Sequence, residues 1–374
     1  MAIKLLSDLV TVVSEHISNP STSGFEIFVG LEHYDAGEPV ITRFGSTANL
    51  ESSVKHFIEG DILVARRNVY LKRAGVVKFE GVTSGDSIVL RVKDECYKDI
   101  IPFILNTEEF WDYAEQNSDG TMSKRLAPDV LLEYECDIPD NHKDIAKKLW
   151  AAYELKEAYK KMITATDEMV KSQFIEMFGN PLSPEQKYPM RKLSDCCIIN
   201  PRRTSVSLKD SDYVSFVPMP SVSENGTLQD VMDEEYGKVK KGFTYFENND
   251  VLFAKITPCM ENGKGAIAHG LTNGIGMGST EFHILRPITG LSNPYWLLCL
   301  TRMPIFRKLA EKNMSGTGGQ KRVGAAFLEN FMIGLPPIEA QKTFEEVYKQ
   351  ADKSKFELRQ AIDKIDKVMK SLLQ

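Results

Sequence analysis

The sequence lacks long apolar runs. No stretch of its 374 residues approaches the roughly 18 consecutive apolar residues that a membrane-spanning helix needs. The N-terminal segment Met1–Val10 contains a single lysine and no extended apolar core, unlike a signal peptide. The sequence therefore predicts a cytoplasmic protein without a membrane span.

Cysteine and histidine are both scarce. The six cysteines form no Cys-x-x-Cys pair, and the six histidines show no metal-ligand spacing. A disulfide framework is not expected in a chain of this length, so we interpret the cysteines as reduced core residues. The sequence predicts no metal site.

Recognisable catalytic and cofactor motifs are also missing. Gly274, Gly276 and Gly278 lack the βαβ context and the acidic residue of a nucleotide-binding loop, so we interpret them as a flexible loop. Asn293-Pro294-Tyr295 lacks the second proline of an amino-methyltransferase element, so we interpret it as the start of a helix. We therefore predict no catalytic residue and no cofactor of the chain's own.

An excess of positive charge is lacking as well. Lys and Arg total 46 against 52 Asp and Glu, which gives a net charge of -6. Nucleic-acid-binding domains usually carry a basic footprint, so this sum counts against such a partner unless a basic face is hidden within it. The length predicts two domains, and the apolar (42%) and charged (26%) fractions are those of a globular protein.

The sequence does contain two long helical patterns, Asp144–Phe178 and Gln341–Leu373. In each, apolar residues recur at alternating steps of three and four, the spacing of a coiled-coil seam, although Lys156 and Gln173 interrupt the first seam. We predict that the two helices pair with each other. The predicted seam residues are Leu149, Ala152, Tyr159, Ile163 and Val170 in the first helix, and Phe344, Val347, Ala351, Leu358, Ala361, Ile365, Val368 and Leu372 in the second.

The two halves of the chain also match each other in sequence. The matches keep one order and a nearly constant offset, which is the signature of an internal repeat. The matched segments are Ser7-Asp8 with Ser194-Asp195, Phe28-Val29 with Phe216-Val217, Asp61–Arg66 with Asp250–Lys255, Gly81 with Gly270, Leu90-Arg91 with Leu285-Arg286, and Lys124-Arg125 with Lys321-Arg322.

The repeat predicts the order globular unit, helix, globular unit, helix, with boundaries at 1–139, 140–180, 181–336 and 337–374. Short strand-like and helical segments alternate in each unit. The predicted fold class is α+β: two similar mixed α/β domains, each followed by a long helix, with the helices paired as an antiparallel coiled coil of pseudo-two-fold symmetry. Asp99–Gln116 and Pro294–Asn313 are each predicted to form one helix.

Basic loops occupy matching places in the two units. Glycines and cations such as those of Ser315–Arg322 could hold a phosphate or a base edge, whereas a solvated hairpin or flexible loop is the alternative. Charge and loop position alone select these candidates for DNA contact: Arg66, Arg67, Lys72, Arg73, Lys124 and Arg125 in the first unit, and Lys255, Lys264, Gln320, Lys321 and Arg322 in the second.

Taken together, these segments resemble the DNA-specificity subunit of type I restriction-modification systems. The resemblance covers nearly the whole chain and rests on the order of its motifs. These are Gly60–Arg66 with its twin Asp250–Lys255, Phe174–Pro181 at the end of the first helix, Ser315–Arg322, and Leu335–Lys342 at the start of the second helix. One departure is Ile138-Pro139-Asp140, which replaces a double proline.

The resemblance implies that each unit is a target-recognition domain reading half of a split double-stranded DNA site. A helix of about 33 residues is about 50 Å long, or roughly 15 base pairs, so the helices would set the spacing of the half-sites. They would also dock two methyltransferase subunits, joined by restriction and motor subunits. S-adenosylmethionine, ATP and Mg2+ would belong to those partners.

Two other hypotheses remain open. A coiled-coil adaptor that does not read DNA would explain the helices and the acidic net charge, but it gives no reason for basic loops at equivalent places. A stand-alone modification enzyme would need a cofactor motif, which the sequence lacks.

Overall fold

The computed structural model describes residues 2–120, 123–180, 187–203, 206–317 and 319–373. Pro181, to which the sequence assigns the stop of the first long helix, lies outside these ranges, as do Thr121 and Gly318 within the basic loops. Within the described ranges, no helix combines the length and the apolar character needed to cross a membrane.

The chain folds into two compact units. The first comprises the chain up to Lys160 together with the part from Arg359 onward, and the second comprises Lys161–Leu358. Each unit therefore contains one globular part and one end of both long helices.

The first half of the chain builds mostly short strands, followed by a long helix. The strands are β1 (Ala2–Leu5), β2 (Val10–Val13), β3 (His16–Ile17), β4 (Ile27–Val29), β5 (Val40–Ile41), β6 (Gly45–Ser46), β7 (Val54–Phe57), β8 (Ile62–Ala65), β9 (Ala74–Val77), β10 (Gly81–Thr83), β11 (Ser87–Val92) and β12 (Glu135–Ile138). The helices are α1 (Leu6–Leu9), α2 (Ile101–Ile104), α3 (Glu108–Gln116), α4 (Pro128–Leu132) and α5 (His142–Phe178).

The second half repeats this plan. Its strands are β13 (Met190–Lys192), β14 (Cys197–Ile199), β15 (Tyr213–Val217), β16 (Met232–Glu235), β17 (Thr244–Glu247), β18 (Val251–Ala254), β19 (Gly265–Ile267), β20 (Ile275–Gly278), β21 (Phe282–Pro287), β22 (Met314–Ser315), β23 (Arg322–Val323) and β24 (Met332–Gly334). Its helices are α6 (Tyr236–Val239), α7 (Pro294–Arg302), α8 (Pro304–Lys312), α9 (Ala325–Asn330) and α10 (Ile338–Leu373).

Two sheets of four or five strands make up most of the globular part of each unit, alongside two-stranded sheets. One sheet has the strand order β2-β11-β8-β9-β5 in the first unit and β14-β21-β18-β19 in the second. The other contains a parallel pair flanked by an antiparallel strand, β4-β10-β7 in the first unit and β15-β20-β17 in the second. In each unit the first strand pairs antiparallel with the last, β1 with β12 and β13 with β24, so the long helix starts next to the beginning of its unit.

Strand register confirms the repeat and corrects one of the sequence matches. Phe28 of β4 pairs with Val82, and its counterpart Phe216 of β15 pairs with Met277. Gly81, one residue before Val82, therefore corresponds to Gly276 and not to Gly270. Gly276 also does not belong to a flexible loop, because it lies in β20, where a Cβ atom would be 2.0 Å from the ring of Phe246.

An ion pair with a buried carboxylate anchors an inner strand of the first sheet in both units. Asp61 precedes β8 and accepts two hydrogen bonds from the Arg91 guanidinium, at 2.7 and 2.8 Å. Asp250 precedes β18 and accepts two hydrogen bonds from Arg286 at the same distances. Both carboxylates are buried, and such a fork-to-carboxylate geometry is specific in direction as well as favourable.

The structure breaks both of the helices that were predicted to follow the first sheet. Asp99–Gln116 contains α2 and α3, which are separate because the Thr107 hydroxyl caps a new helix by accepting the N–H of Phe110. Pro294–Asn313 contains α7 and α8, which are separate because Pro304 cannot continue the hydrogen-bond ladder of α7. The start of α7 is as predicted: Pro294 is its first residue, and the Asn293 side chain caps the helix by accepting the N–H of Tyr295 (2.8 Å).

The long helices pair antiparallel, which confirms the predicted fold class. In the first unit Lys156 of α5 lies 2.8 Å from Asp366 of α10, and in the second unit Asp167 of α5 lies 2.8 Å from Lys355 of α10. The two contacts on α5, at positions 156 and 167, are eleven residues apart. Their partners on α10, at positions 366 and 355, are also eleven residues apart but run in the opposite chain direction. The register is thus the same in both units.

The observed seam differs from the predicted one at several positions. Leu149, Val170, Phe344 and Ala351 are buried, Leu372 packs against the core of the first unit, and Tyr159, Ile163, Leu358, Ala361 and Ile365 are half-buried. The seam uses Tyr153 in place of Ala152, Tyr348 in place of Val347, and Met369 in place of Val368, which is 55% exposed.

Charged residues explain why the apolar pattern misplaced the seam. The Lys355 side chain is only 3% exposed because Asp167 and Asp352 neutralise it, and Lys156 is held in the same way by Asp366 and Glu38. An apolar periodicity assigns lysines to the solvent-facing side of a helix. Here the ammonium groups are paired and the aliphatic parts of the side chains are buried.

Aromatic packing closes the seam in the second unit, and this makes Phe344 a test position. Its ring centroid lies 5.3 Å from that of Phe174 and 5.5 Å from that of Phe178. Because Phe344 is fully buried, Phe344→Ala should lower the free energy of unfolding by about 3–5 kcal/mol, measured by urea denaturation. Phe356→Ala, at a 58% exposed position of the same helix, should change it by about 0.5 kcal/mol or less. Equal losses for the two variants would contradict the observed seam.

Candidate nucleic-acid interface

Two basic loops meet at the end of the central strand of the first unit. The first, Arg66–Arg73, follows β8, and the second precedes Leu126. The N–H of Asn68 donates to the Lys124 carbonyl (2.9 Å), and the N–H of Leu126 donates to the Arg66 carbonyl (2.8 Å). Arg67 and Arg125 thus form an antiparallel bridge between loops that lie far apart in the sequence.

The second unit joins its loops in the same way. The N–H of Thr257 donates to the Lys321 carbonyl (3.1 Å), and the N–H of Val323 donates to the Lys255 carbonyl (2.9 Å). Ile256 and Arg322 form the corresponding antiparallel bridge. The structure therefore brings the predicted loops of each unit together at one place.

Four candidate cations of the first unit each have a counterpart in the second unit, because the two residues make the same backbone hydrogen bonds. Arg66 and Lys255 each donate a backbone N–H to the residue before the neighbouring strand, at Asp86 and Glu281. Likewise the carbonyls of Arg73 and Lys264 accept the N–H of the last residue of the central strand. With the loop crossing, the equivalent pairs are Arg66 with Lys255, Arg73 with Lys264, Lys124 with Lys321, and Arg125 with Arg322.

An acidic residue at the start of the neighbouring strand orients the arginines of the crossing. Arg125 lies 3.4 Å and Arg67 lies 3.7 Å from the Asp86 carboxylate. Arg322 donates hydrogen bonds from Nη2 (2.7 Å) and Nε (2.9 Å) to Glu281, and these bonds hold the pKa of Glu281 below its usual value. The motif search missed Asp86 and Glu281, although aligning the repeat through Leu90-Arg91 and Leu285-Arg286 places them at matching positions.

The remaining candidates of the first unit differ in how accessible they are. Lys72 is paired with Glu108, and Lys124 donates to the Glu115 carbonyl (2.9 Å). Arg73 donates to the carbonyls of Leu31 and Arg67, so its side chain ties down the loop. The Nε atom of Arg66 is buried and has no hydrogen-bond partner within the described ranges. Arg67 and Arg125 are exposed.

In the second unit the exposed candidates are Gln320 and Lys321, whereas Lys255 and Lys264 are half-buried. The predicted role of the glycines also changes. Gly316 has φ 136°, and a Cβ atom there would lie 2.5 Å from the Gln320 carbonyl. A glycine is therefore required for the tight turn of this loop, independently of any phosphate.

Arg307, which the sequence interpretation overlooked, holds the first loop of the second unit. It lies in α8 and donates to the carbonyls of Met260 (2.9 Å) and Lys264 (3.4 Å). Its guanidinium carbon lies 4.4 Å from the centre of the Phe253 ring. Burial lowers the pKa of Arg307 to about 9, so the group stays protonated at neutral pH.

His283 supports the second loop of the same unit. It lies in β21, where Nε2 contacts the Val323 carbonyl (2.8 Å) and Nδ1 contacts the Asn200 amide (3.0 Å). These partners fit a neutral ring that donates from Nε2 and accepts at Nδ1. Burial lowers the pKa of His283, against the opposing effect of the hydrogen bond to Val323.

Both the sequence and the fold of the chain resemble those of known proteins. Residues 185–367 match the family model described as "Type I restriction modification DNA specificity domain". The second half of the chain thus carries the sequence pattern of this domain family. The matched residues include both crossing loops of the second unit, and the repeat register places the same crossing in the first.

Two relatives from Escherichia coli match part of this chain. The type I restriction enzyme EcoAI specificity subunit is 44% identical over 134 residues, which cover 36% of this chain and 23% of that protein. The EcoEI specificity subunit is 41% identical over 150 residues, which cover 40% and 25%. The match thus spans about a quarter of the length of these relatives.

Two solved structures share the fold. One is described as the structural basis of complex assembly and conformational transition of the type I R-M system (16% identity, TM-score 0.56, covering 100% of this chain and 96% of that one). The other is the S subunit of a type I restriction-modification system from M. genitalium (11% identity, TM-score 0.55, covering 100% and 94%). At these identities the likeness concerns the fold alone.

The buried neutral ring of His283 predicts a pH dependence of stability. Its folded pKa lies below the roughly 6.5 of an unfolded histidine, so the unfolded chain takes up the proton first as the pH falls. The stabilisation from His283 is therefore present above about pH 6.5 and lost below it. In urea denaturation, the stability advantage of the wild type over His283→Gln should shrink between about pH 7.5 and 5.5. His16→Gln, at an exposed position, serves as the control, and a pH-independent advantage would contradict this reading.

Proposed function

We propose that this chain is the specificity subunit of a type I restriction-modification complex and reads a bipartite duplex DNA site, with one half-site bound by each unit. The observation that carries this proposal is the duplicated loop crossing, where an arginine oriented by an acidic residue is accompanied by three further cations at equivalent positions in the two units. A repeat that served only to fold would not need exposed cations at the crossing in both units, such as Arg125 in the first and Lys321 in the second.

Within each crossing, the arginine and the lysine suit different tasks. Arg125 and Arg322 are held by Asp86 and Glu281, and an oriented guanidinium can present its remaining N–H groups to a guanine edge. Lys124 and Lys321 carry ammonium groups, which act as point charges and suit phosphate contacts that fix register without reading sequence. Arg67 and Gln320 add a donor at the rim of their respective loops.

Partner binding is supported by a second, exposed apolar stripe on α5. Its members follow one another at alternating steps of four and three, two residues after the seam positions and so on the opposite side of the helix. They are Ala151, Leu155, Ala158, Met162, Ala165, Met169 and Ser172, all exposed. We assign this stripe to a helix of a methyltransferase subunit, since a partner helix would bury it.

The chemistry then lies with the partner chains. Methyltransferase subunits, two per specificity chain, would bind S-adenosylmethionine, and restriction and motor subunits would use ATP and Mg2+. The net charge of -6 fits such a division, because a complex can draw further phosphate-neutralising cations from its partners.

Half-site reading predicts effects confined to one half-site. The chain, with its methyltransferase, is bound to a random duplex library at several salt concentrations, and the bound fraction is sequenced. A two-part motif with a fixed gap should be enriched. Arg125→Ala should relax one half and Arg322→Ala the other, each by about 1–3 kcal/mol if the arginine reads a base. Lys353→Ala, on the exposed face of α10, is the control. Failure to enrich any motif with the partner present would refute DNA reading and favour the adaptor hypothesis.

The stripe on α5 predicts a defined loss of assembly. Met162→Glu places a charge in its middle and should weaken binding of the methyltransferase at least about tenfold, since an unpaired buried charge is costly. The complex mass can be followed by light scattering across a concentration series. Val368→Glu makes the same kind of change at an exposed position of α10 and should leave the complex intact. Equal behaviour of the two variants would exclude this stripe as the docking face.

A further inference from the structure

An exposed apolar pair stands at the tip of the first loop of the first unit. Val69, Tyr70 and Leu71 form a single helical turn within Arg66–Arg73. Val69 is buried and anchors the turn, whereas Tyr70 is 56% and Leu71 is 39% exposed. Exposed apolar side chains are common singly, but here two adjacent ones project from a loop that is otherwise basic.

The turn is held in a fixed conformation. Asn68 and Lys72 on either side of it have φ 54° and 49°, a left-handed backbone that costs energy for residues other than glycine. Neighbouring groups maintain this conformation: Lys72 accepts a backbone hydrogen bond from Gly37 (3.0 Å), and Asn68 donates one to Lys124 (2.9 Å). The tip therefore holds Tyr70 and Leu71 at the surface of the loop in a defined backbone conformation.

Two exposed cations of the loop crossing lie near this tip in the chain fold. Arg67 lies two residues before the turn, and Arg125 lies across the bridge from Arg67. Both guanidinium groups approach Asp86, at 3.7 and 3.4 Å, and both keep exposed surface. An apolar tip next to exposed cations matches what a bent duplex requires, because the cations can hold phosphates while an apolar side chain enters between neighbouring base pairs.

The second unit has no such tip. Its equivalent loop runs from Thr257 to Gly263 and contains no aromatic residue, and Met260 is fully buried there. The exposed positions of this loop are Pro258 and Asn262, neither of which is a large apolar side chain. The two units therefore share the cationic crossing and differ in the wedge.

We propose that Tyr70 and Leu71 form an apolar wedge that enters a base step in the half-site read by the first unit and unstacks it. This inference rests on the proposed function, since it requires duplex DNA at the loop crossing. It assigns distortion of the DNA to one half-site, so that the first unit reads the deformability of a step as well as base edges. The half-site of the second unit stays stacked at the corresponding position.

The test uses the full chain with its methyltransferase and duplexes that carry the enriched site. 2-Aminopurine, whose fluorescence rises on unstacking, replaces one base after another, and the half-sites are assigned from the Arg125→Ala and Arg322→Ala results. Wild type should unstack one step of the first unit's half-site. The double variant Tyr70→Ala with Leu71→Ala should lose that signal at saturating protein, and its affinity should fall about 5- to 150-fold. Tyr70→Phe should keep the signal, because the ring and not the hydroxyl enters the duplex.

Tyr213→Ala removes an equally exposed tyrosine from the second unit and should leave signal and affinity unchanged. A methyltransferase can itself unstack a base, so only the part of the signal that depends on Tyr70 and Leu71 supports the wedge. Binding without any unstacked step, persistence of the signal in the double variant, or its loss in Tyr70→Phe would each overturn the wedge alone. Absence of any DNA binding by wild type would overturn the proposed function together with the wedge.

Discussion

The candidate interface in each unit depends on a buried carboxylate at the start of the central strand. Asp61 accepts the N–H of Ile58 as well as the Arg91 guanidinium, and Asp250 does the same with Glu247 and Arg286. Each carboxylate thereby fixes the turn that enters the strand and the strand beside it. A strand anchored at its start delivers the residue after its end, Arg66 or Lys255, to a defined place. The loop crossing is built on that residue.

The crossing also reconciles an acidic chain with a DNA-binding role. The net charge of -6 describes the whole sequence, whereas the cations that face solvent at the crossing come from segments more than 50 residues apart. Asp86 and Glu281 reduce the local charge, yet they orient the arginines beside them. Orientation is what base reading requires, since a free arginine binds phosphate in any sequence context.

The two faces of the long helix α5 differ in composition and in role. Where α5 and α10 meet, each helix buries one lysine that an aspartate of the other helix neutralises, and the reciprocal pairs Lys156–Asp366 and Asp167–Lys355 are compatible with one antiparallel register. A shifted register would leave these charges buried without partners, which is far more costly than leaving them in water. The opposite face of α5 carries small and large apolar residues in alternation and remains open.

The sequence by itself determined the duplication, the two long helices, the mixed α/β units and the basic character of the loops. Each of these follows from the order of segments along the chain or from the spacing of apolar and charged residues, and neither depends on tertiary contacts. The tertiary structure decided the rest. It placed Lys355 inside the seam and Val368 outside it, because buried charges can be neutralised by residues on another helix. It assigned Gly276 to a strand packed against Phe246, and it paired Arg322 with Glu281 across 41 residues. Such contacts depend on which residues meet in space, and the pattern of a single sequence does not show which distant residues come into contact.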